Sequence, residues 1–327
     1  MSIMINWGII GVGNVCEIKS GPAFNIVKDS SLVAVMRRDE LKVKDFAQRH
    51  NVAKWYINAD DLINDPEINA VYVATPPHKH KEYTIKALEA GKPVYVEKPM
   101  ALNFHEAQEM VNVSKKTGIP LFVAYYRRWF PYFLKIKELL DSETLGKILA
   151  INLTNILPAR KEDFDLNKPP WHLIPKISGG GYFFDLACHQ LDILDFLLGP
   201  VENVSGQYTN RAGYYWVEDT LSANLKFESG VLAACVWSYV GDKNNSLDRI
   251  EIFGTKGMVT FSISSNTPIY LKVGKKEEIF RFEKPKHVEL PMIEKVVGSL
   301  LGTDSFSSNM KSAARTNLVM DKIMRQV

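Results

Sequence analysis

Trp7-Gly8-Ile9-Ile10-Gly11-Val12-Gly13-Asn14-Val15-Cys16 is the stretch whose reading decides the fold. A short apolar strand runs into two glycines separated by one residue. Between a strand and a helix, such a turn lets backbone N–H groups approach a pyrophosphate, aided by the helix N-terminus. The dinucleotide-binding fingerprint asks for Gly or Ala at a third position, and Cys16 stands there. Its small thiol still fits between helix and strand, slightly less tightly. A glycine-rich turn by itself is often only a turn, so its setting carries the argument.

That setting is a βα series. Short apolar runs recur at 7–10, 32–36, 71–74, 94–96 and 121–123. Amphipathic stretches separate them. Between the third and fourth runs lies Glu82-Tyr83-Thr84-Ile85-Lys86-Ala87-Leu88-Glu89-Ala90-Gly91, helical in its apolar spacing, with Gly91 as its C-terminal stop. Strands alternating with helices of this length imply right-handed βαβ units and a parallel, doubly wound sheet. The second run ends in Arg37-Arg38, where an NAD-preferring site would usually carry an acidic residue for the ribose. Guanidinium groups suit a 2′-phosphate, so NADP is the expected cofactor and NAD the alternative.

After residue 124 the pattern changes. Helical stretches at 132–140 and 181–198 flank alternating runs at 149–156, 201–210, 220–227, 231–239, 249–253 and 258–263. Runs joined by turns such as Glu228-Ser229-Gly230 and Gly254-Thr255-Lys256-Gly257 read as an antiparallel sheet. The expected domains are therefore 1–124, binding dinucleotide, and 125–327, an α/β domain with a large sheet. A chain of 327 residues is long enough for two such cores.

Composition bounds the function. Hydrophobic residues make up 46% and charged residues 24%, as in ordinary globular proteins. The net charge of +3 offers no electrostatic reason for nucleic acid or an anionic membrane as partner. No segment approaches the roughly 20 apolar residues that cross a bilayer. The N-terminus lacks a basic stretch followed by an apolar core, so a signal peptide is not expected. Cys16, Cys188 and Cys235 are far apart, without a Cys-x-x-Cys pair, which argues against a disulfide framework or zinc knuckle and for a reducing cytoplasm.

Two stretches carry the candidate chemistry. Val94-Tyr95-Val96-Glu97-Lys98-Pro99 ends a predicted strand, at the sheet edge where ligands of open α/β sheets lie. Gly179-Gly180-Gly181 leads into Tyr182-Phe183-Phe184-Asp185-Leu186-Ala187-Cys188-His189-Gln190-Leu191-Asp192. At about 100° per residue, Asp185, His189 and Asp192 share one narrow helix face. The triple glycine allows backbone or a ligand to come close.

These stretches together resemble the Gfo/Idh/MocA oxidoreductases, relatives of glucose–fructose oxidoreductase and inositol 2-dehydrogenase. The resemblance rests on the N-terminal Gly-x-Gly, Glu97-Lys98-Pro99-Met100, and the Gly-Gly-Gly-x-x-x-Asp-x-x-x-His run. It extends to Ala74-Thr75-Pro76-Pro77-His78-Lys79-His80, Tyr125-Tyr126-Arg127-Arg128 and Ile252-Phe253-Gly254-Thr255-Lys256-Gly257. It implies a Rossmann domain followed by an α/β domain whose open antiparallel sheet makes homodimers or homotetramers through its outer face. It implies Lys98, Asp185 and His189 as catalytic positions. For the cofactor it implies Gly11, Val12, Gly13, Asn14 and Val15 at the phosphates. Ala74, Thr75, Pro76, His80, Glu97 and Lys98 would lie along the nicotinamide half. Trp171-His172 falls where the family often has Trp-Arg, and Tyr126 where many members have Asn.

The expected activity is hydride transfer between a nicotinamide and a secondary alcohol or ketone of a sugar, polyol or related ring. His189 would carry the proton, Asp185 would orient it or bind a hydroxyl, and Lys98 would stabilise charge on the reacting oxygen. The substrate is expected to be compact and uncharged, with Arg127 and Arg128 facing solvent and Arg160 in a loop. The alternatives are a non-catalytic sugar-sensing regulator of the same fold and an NAD-dependent glycosidase with transient oxidation. No metal site is expected, because His172, Asp185 and His189 fit no known ligand spacing.

Overall fold

A computed structural model of the chain describes residues 4–264 and 267–324. The chain divides into two compact units, Met1–Arg127 with Pro285–Ala314, and Arg128–Lys284 with Arg315–Val327.

The first unit holds strands β1 (Ile5–Ile10), β2 (Ser30–Met36), β3 (Lys54–Tyr56), β4 (Ala70–Val73), β5 (Val94–Val96) and β6 (Leu121–Val123). They form one sheet in the order β3-β2-β1-β4-β5-β6, all parallel. The five strands expected from the apolar runs are present. Their burial on both faces explains why they read as continuous apolar runs rather than alternation. β3, Lys-Trp-Tyr, escaped notice because an edge strand of three residues has no apolar run to read. The intervening helices begin where side chains satisfy their free N–H groups. Asp39 accepts from Lys42 N at 3.1 Å and Asn103 from Glu106 N at 2.9 Å. Gly91 follows the helix His80–Glu89 with φ 77°, the left-handed stop expected of it.

The expectation of a second domain running unbroken to residue 327 did not provide for a return. Residues 285–314 pack with the first unit. Asn309 shows why. Its Oδ1 accepts from Val123 N and its Nδ2 donates to Val123 O, both at 2.8 Å, so one side chain completes the open edge of β6.

The second unit holds β7 (Ile148–Pro158), β8 (Val201–Thr209), β9 (Thr220–Phe227), β10 (Leu232–Gly241), β11 (Leu247–Gly254), β12 (Gly257–Phe261), β13 (Ile269–Val273) and β14 (Lys276–Phe280). Their order is β14-β13-β12-β11-β7-β10-β9-β8. All pairs are antiparallel except β7 with β10. Alternation is plain in β9, where Leu221, Ala223, Leu225 and Phe227 are buried and Ser222, Asn224 and Lys226 are exposed. β13 and β14 were not anticipated, since β14 carries Lys276, Glu277 and Glu278 in succession.

The inner face of this sheet is covered by the helices Pro131–Asp141 and Cys188–Leu198, through contacts such as Phe133–Phe261 and Gln190–Trp237. Cys188–Leu198 is buried on nearly every side. Its Gln190, Asp192 and Asp195 are paired, as burial demands. Gln190 Oε1 accepts from Trp237 Nε1 at 2.7 Å, and Asp195 takes both Nε and Nη2 of Arg315 at 2.8 Å. Among the described residues no helix is long and apolar enough to cross a membrane.

Candidate active site

In the first unit the candidate residues gather at the C-terminal ends of β1, β4 and β5. β1 and β4 are the pair at which the strand order reverses, where doubly wound sheets open a ligand crevice. Gly11, with φ 97°, lies so close to the loop after β4 that a Cβ would sit 2.6 Å from Thr75 Cγ2. Gly13 is different. A Cβ there meets only Gly11 O at 3.8 Å, so its backbone faces open space. The helix that follows, Asn14–Ile18, has only five residues, so local N–H groups rather than a long macrodipole must hold an anion. Cys16 is fully buried, and burial pushes its thiol up to about 12. It packs as a small apolar group, as the third fingerprint position requires.

The two arginines after β2 separate. Arg37 turns back, and its Nη1 donates to Val12 O at 3.1 Å. Arg38 is exposed. His78 is held below the usual histidine range, first by burial and then by the charges of Lys79 and Arg38. Arg38 and Lys79 thus both act on His78, and Lys79 is itself paired with Glu82 at 2.7 Å.

His80 is fully buried, with Nδ1 2.9 Å from Pro99 O and Nε2 2.7 Å from Thr75 O. The ring lies between the Ala74–Pro76 loop and the Glu97–Pro99 turn with a protein carbonyl at each nitrogen, and the nitrogen that carries the proton donates. Burial lowers its pKa. Thr75 Oγ1, by contrast, is buried and has no hydrogen-bond partner among the described residues. Glu97 accepts from Tyr72 OH at 2.6 Å and from Lys98 N at 3.2 Å. The Lys98–Pro99 peptide is cis. Tyr126 is buried, which raises its pKa against the pull of Arg127 and Lys98.

In the second unit, Trp171 and His172 sit on a single 3₁₀ turn with ring centroids 3.7 Å apart. His172 Nδ1 lies 3.3 Å from Asp185 Oδ2, and its ring stacks on Tyr182 at 5.6 Å. Asp185 belongs to a π-helical turn, Phe183–Ala187, that precedes the α-helix carrying His189. The step from Asp185 to His189 therefore crosses a wide turn, not the regular α-helical one expected. Such turns often mark functional sites. Both side chains are buried, Asp185 at 9% and His189 at 4% exposure.

Asp192, the third member of the expected polar face, serves the fold. Arg128 holds it through Nε at 2.7 Å and Nη2 at 2.6 Å. Burial nevertheless pushes Asp192 up to about 6 against that pull. Arg128 is thus buried in a bidentate bridge, contrary to the expectation that it faces solvent.

The triple glycine also has a protein partner. Gly181 N donates to Glu218 Oε1 at 2.7 Å, and a Cβ on Gly180 would lie 2.3 Å from the Phe184 ring. Burial pushes Glu218 from its ordinary 4.5 to about 7. A raised carboxyl pKa favours the folded state only while the group is protonated. That contribution is complete below pH 4.5 and is lost by pH 7, about 3 kcal/mol in all. Glu218→Gln, which keeps an acceptor for Gly181, is expected to match the wild type at pH 4.5 and to exceed its stability at pH 8. Unfolding midpoints at the two pH values measure this. A gap that does not change with pH would refute it.

Further polar and aromatic side chains of this unit are not among the candidates read from the sequence. Tyr182 OH donates to Asp163 Oδ1 at 2.5 Å, and the Arg160 guanidinium lies 4.5 Å over the Tyr182 ring. Tyr215 OH, Tyr239 OH and both amide atoms of Asn155 are buried without partners among the described residues. For Asn155 and Tyr239 a signal existed. They continue the inward rows Ile151, Leu153, Asn155 and Cys235, Trp237, Tyr239, where a polar residue on an apolar face asks for a ligand.

Comparison with known proteins adds to this geometry. Residues 5–125 match the GFO/IDH/MocA oxidoreductase family, NAD-binding Rossmann fold, and residues 133–260 match the GFO/IDH/MocA C-terminal domain. The chain is 42% identical to Oxidoreductase P35 of Formosa agariphila over 98% of both chains. It is 30% identical to myo-inositol 2-dehydrogenase of Thermotoga maritima, over 77% of this chain and 73% of that one. The crystal structure of aldose-aldose oxidoreductase from Caulobacter crescentus, complexed with glycerol, superposes with a TM-score of 0.85 at 23% identity, over 98% of this chain and 97% of that one.

Proposed function

The chain belongs to the Gfo/Idh/MocA family of oxidoreductases, and from that premise we propose that it moves a hydride between NADP(H) and a secondary alcohol or ketone of a sugar-like or polyol ring. The observation that carries this reading is the buried acid–imidazole group of the second unit, His172 and Asp185 at 3.3 Å with His189 on the next turn. Bound NADP⁺ supplies the hydride acceptor. His189 takes the hydroxyl proton as the carbonyl forms, and Lys98 donates a hydrogen bond to the reacting oxygen. Asp185 and His172 hold one another, which fixes the carboxylate for a neighbouring hydroxyl. Trp171 supplies an apolar wall, and Tyr126 a polar group near Lys98.

The open backbone at Gly13 and the unpartnered Thr75 Oγ1 fit a dinucleotide along this edge of the sheet. The choice of NADP rests on Arg38, exposed beside His78 and Lys79. Arg37, already bonded to Val12 O, supports the glycine turn that either cofactor uses. Arg38→Ala is therefore expected to weaken NADPH binding about tenfold or more, the worth of one charged hydrogen bond, and to leave NADH unchanged. Titration of both cofactors by fluorescence measures it. Equal losses for the two would place Arg38 outside the 2′-phosphate site.

The outer face of the eight-stranded sheet exposes Leu232, Val236 and Tyr270, which supports self-association there. For the activity as a whole, the test is a panel of sugars, inositols and keto sugars with NADP(H) and NAD(H). Net cofactor turnover with a polyhydroxylated ring is the expected result. Activity confined to sugar acids or phosphates would overturn the uncharged substrate. Substrate cleavage with no net cofactor change would indicate transient oxidation instead.

A further inference from the structure

Glu289 is a fully buried carboxyl beside the C-terminal edge of the first sheet that the proposed chemistry does not use. It comes from the segment that returns after residue 284, yet its exposure is 0%. Its Oε2 accepts from Tyr95 OH at 3.1 Å and lies 3.4 Å from Tyr72 OH. Tyr72 and Tyr95 are register partners on β4 and β5, with rings stacked at 5.1 Å. Tyr72 OH donates in turn to Glu97 Oε1. The second oxygen of Glu97 receives Lys98 N–H.

The return segment is anchored at the other side. Glu289 N donates to Lys19 O at 3.3 Å, and His287 Nδ1 lies 2.6 Å from Ile18 O. It thereby grips the end of the helix that follows the glycine turn. The groups facing Glu289 are Glu97, Tyr72, Tyr95, Cys16, Tyr126 and Lys19. Only Lys19 is cationic. Burial, and then Glu97, raise the pKa of Glu289 and favour its neutral form. Tyr72 OH reaches both carboxyls, 2.6 Å from Glu97 Oε1 and 3.4 Å from Glu289 Oε2. The Oε1 of Glu289 is buried with no hydrogen-bond partner among the described residues.

We propose that Glu289 is a positioning residue for Lys98, acting through Tyr72, whose hydroxyl reaches both Glu289 and Glu97, so that the returning C-terminal segment completes the catalytic edge of the first sheet. Glu97 then stands in a fixed frame of Tyr72, Glu289 and the Lys98 backbone. The turn presents the Lys98 ammonium in one direction. The inference rests on the assignment of Lys98 to the reacting oxygen.

The test is a set of variants read by steady-state kinetics. Glu289→Gln keeps the volume, an acceptor for Tyr95 and Tyr72 and a donor on the second atom, and is expected to keep kcat within about threefold. Glu289→Leu offers neither and is expected to lose at least about tenfold in kcat, with KM for NADPH changed far less. In a Lys98→Met background Glu289→Leu is expected to add nothing further, because residues that act as a unit are not additive. Should Glu289→Leu fail to fold, Tyr95→Phe keeps the ring packing and removes the donor to Glu289. Its expected loss of kcat, about threefold, must likewise vanish in the Lys98→Met background. Losses that multiply, or a Gln variant as impaired as Leu, would overturn the proposal. Failure of the underlying reading is seen separately, as a Lys98→Met enzyme with full turnover.

Discussion

Lys98→Met is expected to lower kcat about a hundredfold while NADPH binding changes only a few fold. Methionine keeps the length and the apolar stem of lysine, so the turn between β5 and Pro99 retains its packing. What it loses is the charged donor. Hydrogen bonds aimed at a developing oxyanion are worth about 3 kcal/mol, which is on the order of a hundredfold in rate. Glu97 stays bound to Tyr72 OH and to the backbone N–H of residue 98, so the scaffold of the turn survives the change. Steady-state rates together with a direct cofactor titration separate the two effects. Turnover near that of the wild type removes Lys98 from the mechanism, and a collapse of cofactor binding makes it a binding residue.

His189→Ala is expected to cost between about a hundredfold and ten-thousandfold in kcat, the range of a positioned general acid–base. In the oxidation direction the imidazole must be neutral to accept a proton. Wild-type activity should therefore fall as pH drops, and this acid limb should be absent from the variant. His189 is buried in a helix packed on nearly every side, so Ala also opens a cavity. His189→Asn separates the two effects. It preserves much of the volume and the hydrogen bonding but carries no proton in this range, so it should be as slow as Ala while melting closer to the wild type. A fast Asn variant, or an unchanged pH profile in either, excludes His189 as the proton carrier.

Much of the candidate site is legible in the sequence because each part announces itself locally. Gly11 and Gly13 flank one residue at a strand end, and Glu97-Lys98-Pro99 ends another strand. Asp185 and His189 are four residues apart in one helical stretch. What escaped were relations between distant residues. His172 meets Asp185 thirteen residues later, and no periodicity joins a 3₁₀ turn to a π turn. Arg128 reads as a solvated charge until Asp192 is seen to hold it. The triple glycine reads as room for a ligand until Glu218 and Phe184 fill the space.

The sequence by itself determined the class of each sheet, since pattern and burial are the same fact seen twice. Strands covered on both faces must be apolar throughout, whereas strands covered on one face must alternate. It also determined the turn chemistry, because a positive φ at Gly11 and a stop at Gly91 need glycine at those positions. Only the tertiary structure decided which charges are chemical and which are structural. A carboxylate, an imidazole or a guanidinium looks the same in the chain whether it faces solvent, a ligand or a buried partner. The free energy of burying it depends on the partner it finds, and those partners lie far away in sequence: Glu97 with Glu289, Asp192 with Arg128, Asp195 with Arg315.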